Sequence, residues 1–291
     1  MAGRKYEKHI IQELKDPKDA EARAKYAEFA TRILWLDDDL APGAFQVNCS
    51  WYREPCLHVP HPHTHNNDEV LGFFGGDPDN PTDLCAEIEF GIEDERFTLT
   101  KSTLIFAPAG IRHCPLDIKR VDRPLFHITI NMSGKYVVEQ PDRKEPDTQE
   151  EYGKYVLNEL KMPANRPLSE AYRQRATKVL WMDGENTPGA FNVNVTWLWK
   201  ATDFNHDEAH KHDYDEVIGF FGNDPERPND LNAEVEFWLE DEKYILEKST
   251  LLWIPRGLTH CPLRVVSVKQ PIFHFTTVRS GSYKQDLVSE K

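Results

Sequence analysis

The sequence predicts an all-β protein built from two like antiparallel barrels, and three observations carry that prediction. A His/Glu pattern occurs twice, a repeat runs through the whole chain, and the repeated segments are short alternating runs between turn formers. His63-Thr64-His65 followed by Glu69 returns 147 residues later as His210-Lys211-His212 followed by Glu216. Each copy is completed by a Pro-x-Gly-x-x-His segment, Pro108 to His113 and Pro255 to His260. On an extended strand, positions i, i+2 and i+6 point to one face, whereas a helix sets i and i+2 roughly 200° apart. The spacing therefore predicts a β-scaffold that gathers three imidazoles and a carboxylate in each half.

The repeat extends far beyond those ligands. Tyr6 to Lys15 matches Tyr152 to Lys161, Ile33-Leu34-Trp35 matches Val179-Leu180-Trp181, and Pro42 to Asn48 matches Pro188 to Asn194, all at an offset of 146. From the ligand motif onward the offset is 147, so the second copy carries one more residue on the approach. Self-similarity on this scale predicts two like domains, 1–142 and 143–291, joined by the polar, proline-containing linker 140–149.

Runs such as Ala44 to Trp51, Ala86 to Ile92, Arg96 to Thr100 and Leu125 to Ile130 alternate apolar and polar residues, as half-buried strands do. Helix is expected near Asp19 to Arg32, after Asp16-Pro17, and in the matching Ser169 to Thr177 stretch. Tyr6 to Lys15 and its counterpart are expected to cover barrel edges, as helices or added strands.

Composition narrows the function. A net charge of −14 argues against nucleic acid, whose recognition needs concentrated Lys and Arg. With no apolar leader and no long apolar stretch, a cytoplasmic protein without membrane contact is expected. The five cysteines are odd in number and irregularly spaced, which predicts no disulfide framework. Cys114 and Cys261, next to a ligand histidine, are expected to alternate to the opposite strand face as small buried residues.

With these motifs on the page, the chain resembles the cupin superfamily, specifically a bicupin. The first family motif is matched by His63, His65, Glu69 and Gly76 and by His210, His212 and Glu216, and the second by the two Pro-x-Gly-x-x-His segments. The sequence departs from the pattern at turn positions: Asn223 replaces the counterpart of Gly76, Ser102 and Ser249 replace a glycine, and Asp117 and Arg264 replace a closing asparagine. The resemblance implies a duplicated cupin-type double-stranded β-helix, or jelly roll, with short peripheral helices.

It also implies one divalent transition-metal ion per domain, held by His63, His65, Glu69 and His113 and by His210, His212, Glu216 and His260. Three imidazoles and one carboxylate leave two open positions in an octahedron, which suits Fe(II) foremost and Mn, Ni, Co or Zn besides. The activity implied is that of an oxidoreductase, a dioxygenase of a small enol, phenol or organic acid. The alternatives are a redox-neutral decarboxylase, lyase or isomerase, and a ligand-binding or storage bicupin without catalysis.

Around the ligands, Glu69 and Glu216 are candidate bases, and His127 and His274 are either acid/base groups facing the barrel or hydrogen-bonded core residues. Arg112 and Arg256 are candidates for steering an anionic substrate, and Phe106 and Trp253 for its aromatic wall, with Phe73, Phe74 and Trp51 beside them. Glu87 and Glu89 read as a solvated face. His61 is either exposed or an alternative ligand, and the proline-rich loop Gly75 to Asp83 reads as a rigid flap. Because Arg53, Phe106, Ala109 and Arg112 face Trp199, Trp253, Arg256 and Thr259 across the repeat, the two sites are expected to be unequal, with catalysis in the first half. A homo-oligomer, a dimer, is also expected.

Overall fold

The fold is taken from a computed structural model that describes residues 4–139, 151–202 and 208–288. The linker 140–149, the division at 142/143 and His206 lie outside the described residues, apart from the linker's flanks.

Each half is a pair of facing antiparallel sheets. In the first half a six-stranded sheet runs in the order Val156–Leu157, Thr103–Ala107, Glu69–Gly75, Leu125–Asn131, Gln46–Tyr52, Ala30–Leu36. Facing it is a four-stranded sheet of Cys56–Val59, His113–Val121, Asp83–Ile92 and Glu95–Lys101. The second half repeats the plan. Its six-stranded sheet is Ile10–Ile11, Thr250–Ile254, Glu216–Gly222, Ile272–Val278, Asn192–Leu198 and Ala176–Met182, opposed by a five-stranded sheet centred on Asp230–Leu239 and His260–Val268. The sheets of one half are not joined by continuous hydrogen bonding, so each half is a two-sheet jelly roll and not a closed barrel.

The expected edge covers are present, and they are exchanged. Ile10 and Ile11 pair with Leu252 and Leu251 of the second half, while Val156 and Leu157 pair with Ile105 and Leu104 of the first. Each follows a single 3-10 turn, Glu7–His9 or Tyr152–Tyr155. Each copy of the repeated segment thus satisfies the backbone edge of the other copy's sheet, which an isolated half would leave unpaired.

The helices are shorter than the sequence suggested. Ala20–Ala27 starts where the Asp19 carboxylate accepts from Ala22 N at 2.8 Å, but Ala30 already opens a strand, so Arg32 is strand and not helix. Its β-branched and aromatic run, Thr31 to Leu36, outweighs the preceding alanines. In the second copy only Glu170–Arg173 is helical, capped by Ser169. Ser102, at a glycine position of the family motif, accepts from Gly75 N at 3.0 Å and donates to Pro81 O at 2.6 Å, and Ser249 does the same with Gly222 and Pro228. The departure therefore ties the turn after Gly75 in place.

Strand alternation sorts the core into two compartments. On Glu69–Gly75, Leu71 and Phe73 face between the sheets of their own half, where Phe73 meets Phe90, while Phe74 faces the other half. The two large sheets meet there in an aromatic layer with pseudo-two-fold pairing. Phe126 and Phe273, counterparts in the repeat, stand 4.3 Å apart, and the mates Phe74–Phe273 and Phe126–Phe221 lie at 5.1 and 5.0 Å. No helix among the described residues is long and apolar enough to cross a membrane.

Candidate metal centres

His63, His65 and Glu69 do not share one continuous strand, as the i, i+2, i+6 spacing suggested. His63 forms an isolated bridge with His113, each N–H donating to the other's carbonyl at 3.0 Å, whereas Glu69 opens a strand of the opposite sheet. The ligands converge because the chain turns a corner at Asn66 to Asp68, from one sheet to the other. The second half repeats the corner, with His210 paired to His260 and Glu216 opening Glu216–Gly222.

The Pro-x-Gly-x-x-His segments deliver the last imidazole. Ile111 N donates to Pro108 O at 3.0 Å and Gly110 lies in the left-handed region, φ 83°, where a side chain is disfavoured. The turn is pinned from both sides, by Gly110 N on His65 O and by Ala109 N on the Asp68 carboxylate, both at 2.9 Å. Gly257, φ 81°, Asp215 and His212 repeat these contacts.

Every ligand imidazole has its Nδ1 against a backbone carbonyl. His63 faces His61 O at 3.4 Å, His65 faces Val137 O at 2.6 Å and His113 faces Ile111 O at 3.2 Å, while His210, His212 and His260 face Glu208, Lys284 and Leu258. A carbonyl only accepts, so each Nδ1 carries the proton and each Nε2 lone pair points into the centre. Glu69 Oε2 lies 3.3 Å from His65 Nε2 and 3.0 Å from His113 Nε2, and Glu216 lies 3.2 and 3.0 Å from His212 and His260.

These groups crowd one point without hydrogen-bonding. In the first half the three Nε2 atoms and both Glu69 oxygens are buried without a hydrogen-bond partner; in the second, the same holds for His212, His260 and Glu216. Orphaned buried donors and acceptors on this scale are costly unless something else satisfies them. A divalent cation fits, since it takes three neutral nitrogens and one carboxylate in a single step. Burial pushes the Glu69 carboxyl up, yet its contacts with His113 and His65 hold it down at about 2, so it is ionised. Burial, with His113 and His65 alongside, lowers His63 to about 4. For His65 burial also pulls downward, but Glu69 outweighs it and the net shift is upward.

That shift sets a pH dependence. Protonated His65 cannot ligate, so protons compete with the ion for this site and metal retention should fall as pH is lowered. Metal bound after dialysis at stepwise lower pH checks this, and retention independent of pH down to strongly acidic buffer would count against an imidazole-held ion.

A cavity of about 360 Å³ opens onto the first centre, bordered by His63, Glu69 and His113 and by Tyr26, Arg32, Trp35, Tyr52 and Tyr136. In the second half the cavity, about 270 Å³, is lined by Lys178, Trp181, His274 and Tyr283 among others, and none of the four ligands borders it. There the Tyr283 hydroxyl stands 3.5 Å from His210 Nε2, with Arg166 over the Tyr283 ring.

Several residues proposed from sequence lie elsewhere. Arg112 is held by Glu93 at 3.3 Å and Asp94 at 2.9 Å on the neighbouring hairpin, and neither it nor Arg256 borders a described cavity. Phe106 packs against Phe191 and Tyr155, and Trp253 against Phe45, so both belong to the layer between the halves and not to a substrate wall. Trp51 and Phe74 join that layer too, and Phe73 is interior core. Arg53 donates to Ala27 O and Ala30 O, closing the helix. The loop after Gly75 is no flap over the metal, because Gly75 and Glu69 end one strand of seven residues, roughly 20 Å apart at ~3.4 Å per residue. Glu89 pairs with Lys119 at 2.9 Å on a half-exposed face, in keeping with a solvated reading.

His127 is satisfied on both nitrogens, by Gly72 O and by the Thr129 hydroxyl at 2.9 Å each, and is stacked between Tyr52 and Phe73. Burial, with His58 nearby, lowers it to about 3, so it is a neutral wall residue rather than a proton carrier. His274 likewise faces Gly219 O at 2.9 Å and stacks on Phe220. His61 borders the cavity, with its carbonyl facing His63 Nδ1. Cys114 breaks the expected alternation: its φ of 75° turns it to the ligand side, where it groups with His63 and His113 with ligand atoms within 4.8 Å. Burial pushes that thiol well up, which leaves it uncharged.

Missed in the sequence were Tyr26, Arg32, Tyr52 and Tyr136. The repeat held a signal for some of them. Tyr26 and Tyr136 recur as Tyr172 and Tyr283, and Arg32 recurs as a cation, Lys178.

The fold is that of a bicupin. An oxalate decarboxylase structure aligns with 94% of this chain and 87% of its own at 10% identity and a TM-score of 0.59. A variant of the Bacillus subtilis oxalate decarboxylase aligns with 89% and 75% at 10% identity and a TM-score of 0.55. AerE from Microcystis aeruginosa aligns with 86% and 92% at 12% identity and a TM-score of 0.49. No family model and no curated protein matches the sequence. Identities this low establish the shared fold and leave the chemistry to the site itself.

Proposed function

We propose that the chain is a metal-dependent enzyme whose first half converts a small planar organic substrate, as a dioxygenase of an enol, phenol or organic acid. The observation that carries this reading is the single cavity joining three of the four first-half ligands to an aromatic slot formed by Tyr26, Trp35 and Tyr52. Its volume is at the small end of ligand sites, about 300–1,000 Å³, and flat rings favour a conjugated guest over a saturated one. An ion such as Fe(II) or Mn(II) held by His63, His65, Glu69 and His113 would supply Lewis-acid polarisation of a substrate oxygen and, where oxidisable, redox chemistry toward dioxygen. The chain's part is to hold the guest edge-on to the ligands, exclude water with the aromatic walls, and keep Glu69 ionised as ligand or base.

A second reading, redox-neutral decarboxylation, lyase chemistry or isomerisation, is supported by Tyr136. Its ring lies 4.9 Å from that of His65, and burial, with Glu69 nearby, pushes its hydroxyl well above the ordinary phenol range, so it stays protonated and can donate a hydrogen bond to an acidic guest in the cavity it borders. The oxalate decarboxylases of the same fold favour that chemistry, and the one from Bacillus subtilis holds Mn(II) centres. Protein loaded separately with Fe(II) and Mn(II) should be screened over enols, phenols and small acids with oxygen uptake and anaerobic product both measured. Oxygen uptake matched to substrate loss is the expected result. Equal turnover without oxygen replaces it with the second reading, and a tightly retained organic ligand with no turnover makes the chain a binding protein.

A further inference from the structure

We infer that the substrate of the first half is an organic anion, with a carboxylate or equivalent acidic group bound by Arg32 while the rest of the molecule reaches the metal ligands. This rests on the proposed function and names its substrate class.

Arg32 is positioned as a recognition group. Its side chain is 9% exposed, borders the cavity, and is sandwiched over the Tyr26 ring at 4.3 Å and the Trp35 ring at 5.2 Å. Asp16 takes Nη1 at 2.6 Å, and Asp16 does not itself border the cavity. The carboxylate thus holds one end of the guanidinium from a position that does not border the cavity. Arg32 Nε is buried with no hydrogen-bond partner. A buried guanidinium donor without an acceptor is an expensive arrangement for a purely structural ion pair, and an acidic group on the guest removes that cost.

The charge balance of the cavity points the same way. Lys18, whose Nζ lies 5.6 Å over the Tyr136 ring, also borders it, and among the described residues the one carboxylate on its wall, Glu69, belongs to the candidate metal set. The strands paired beside that of Arg32 contribute neutral groups to the cavity, including Asn48 and the satisfied His127. The second half differs where it matters. Lys178 replaces Arg32 and donates to Asn194 at 2.9 Å, Met162 stands in place of Asp16, and that cavity does not border its ligands. A lysine is a point charge and cannot present a planar fork, so the pairing of fork and metal is a property of the first half.

The test uses zinc-loaded protein, which binds without oxidising, and two probes of one shape, 3,4-dihydroxybenzoate and 3,4-dihydroxybenzamide. Calorimetry should find the acid bound roughly tenfold to a hundredfold more tightly than the amide, the range expected for hydrogen bonds to a charged group. Arg32→Gln should abolish the preference and Arg32→Lys should keep part of it. Asp16→Asn, which leaves the guanidinium with its full charge, should increase it and serves if Arg32→Gln fails to fold. Zinc content monitors the integrity of each variant. Equal binding of acid and amide by the wild type, no binding of either, or a preference that survives Arg32→Gln overturns the inference. None of these outcomes touches the reaction reading, which is decided by turnover.

Discussion

His113→Ala is expected to lower bound divalent metal from about two ions per chain to about one and to remove turnover, whereas His260→Ala should lower metal by the same amount and spare most of the turnover. The equal metal losses follow from equal ligand sets. Each site presents three Nε2 lone pairs, fixed by backbone carbonyls on Nδ1, and a glutamate buried in contact with two of them. Removing one imidazole leaves an incomplete set around a buried carboxylate, which then loses its compensating charge. The unequal activities follow from access. In the first half the ligands border the cavity, while in the second the Tyr283 hydroxyl sits at 3.5 Å from His210 Nε2 and the cavity ends before the ligands. Glu69→Gln and Glu216→Gln make the same comparison with less loss of volume. Metal analysis together with turnover decides it; comparable activity losses, with the other site loaded, would show that both halves work.

The clustering of three histidines and a glutamate in each half was legible in the sequence because each is a rare residue type repeated at fixed spacing, and a duplicated chain provides its own comparison. How they converge was not legible. Alternation along one strand predicts a shared face, but Glu69 lies across a corner on another sheet, and a local period cannot reveal a corner. The same limit explains the substrate wall. Phe106 and Trp253 sit near the third histidine in sequence and were assigned to the pocket, yet alternation within Thr103–Ala107 and Thr250–Ile254 turns them to the layer between the halves. Arg32 and Tyr26 lie more than thirty positions before the first ligand and reach it only because Ala30–Leu36 and Gln46–Tyr52 pair beside Leu125–Asn131. Cys114 escaped for a backbone reason, a positive φ that no periodic pattern encodes.

Phe126→Ala and Phe273→Ala are each expected to cost about 3–5 kcal/mol, the usual range for emptying a large aromatic site in a packed core. Both rings are fully buried. Phe126 touches Trp51, Phe221 and Phe273, and Phe273 touches Trp197, Phe74 and Phe126, so each truncation opens a void walled by rings from both halves. Because the two are in contact at 4.3 Å, the double variant should lose less than the sum of the singles, the second truncation enlarging a void that already exists. The exchanged strands Ile10–Ile11 and Val156–Leu157 tie each half to the edge of the other, so the loss should register on the whole chain as one transition. Urea unfolding of the three variants, followed by tryptophan fluorescence, measures both quantities. Phe106→Ala is the companion, since its ring contacts Phe191 across the same layer and none of the ligands. It should destabilise the fold while leaving KM at the wild-type value. Costs below about 1 kcal/mol for either phenylalanine, or a raised KM in Phe106→Ala, would show that the layer is loosely packed or that Phe106 serves the substrate after all.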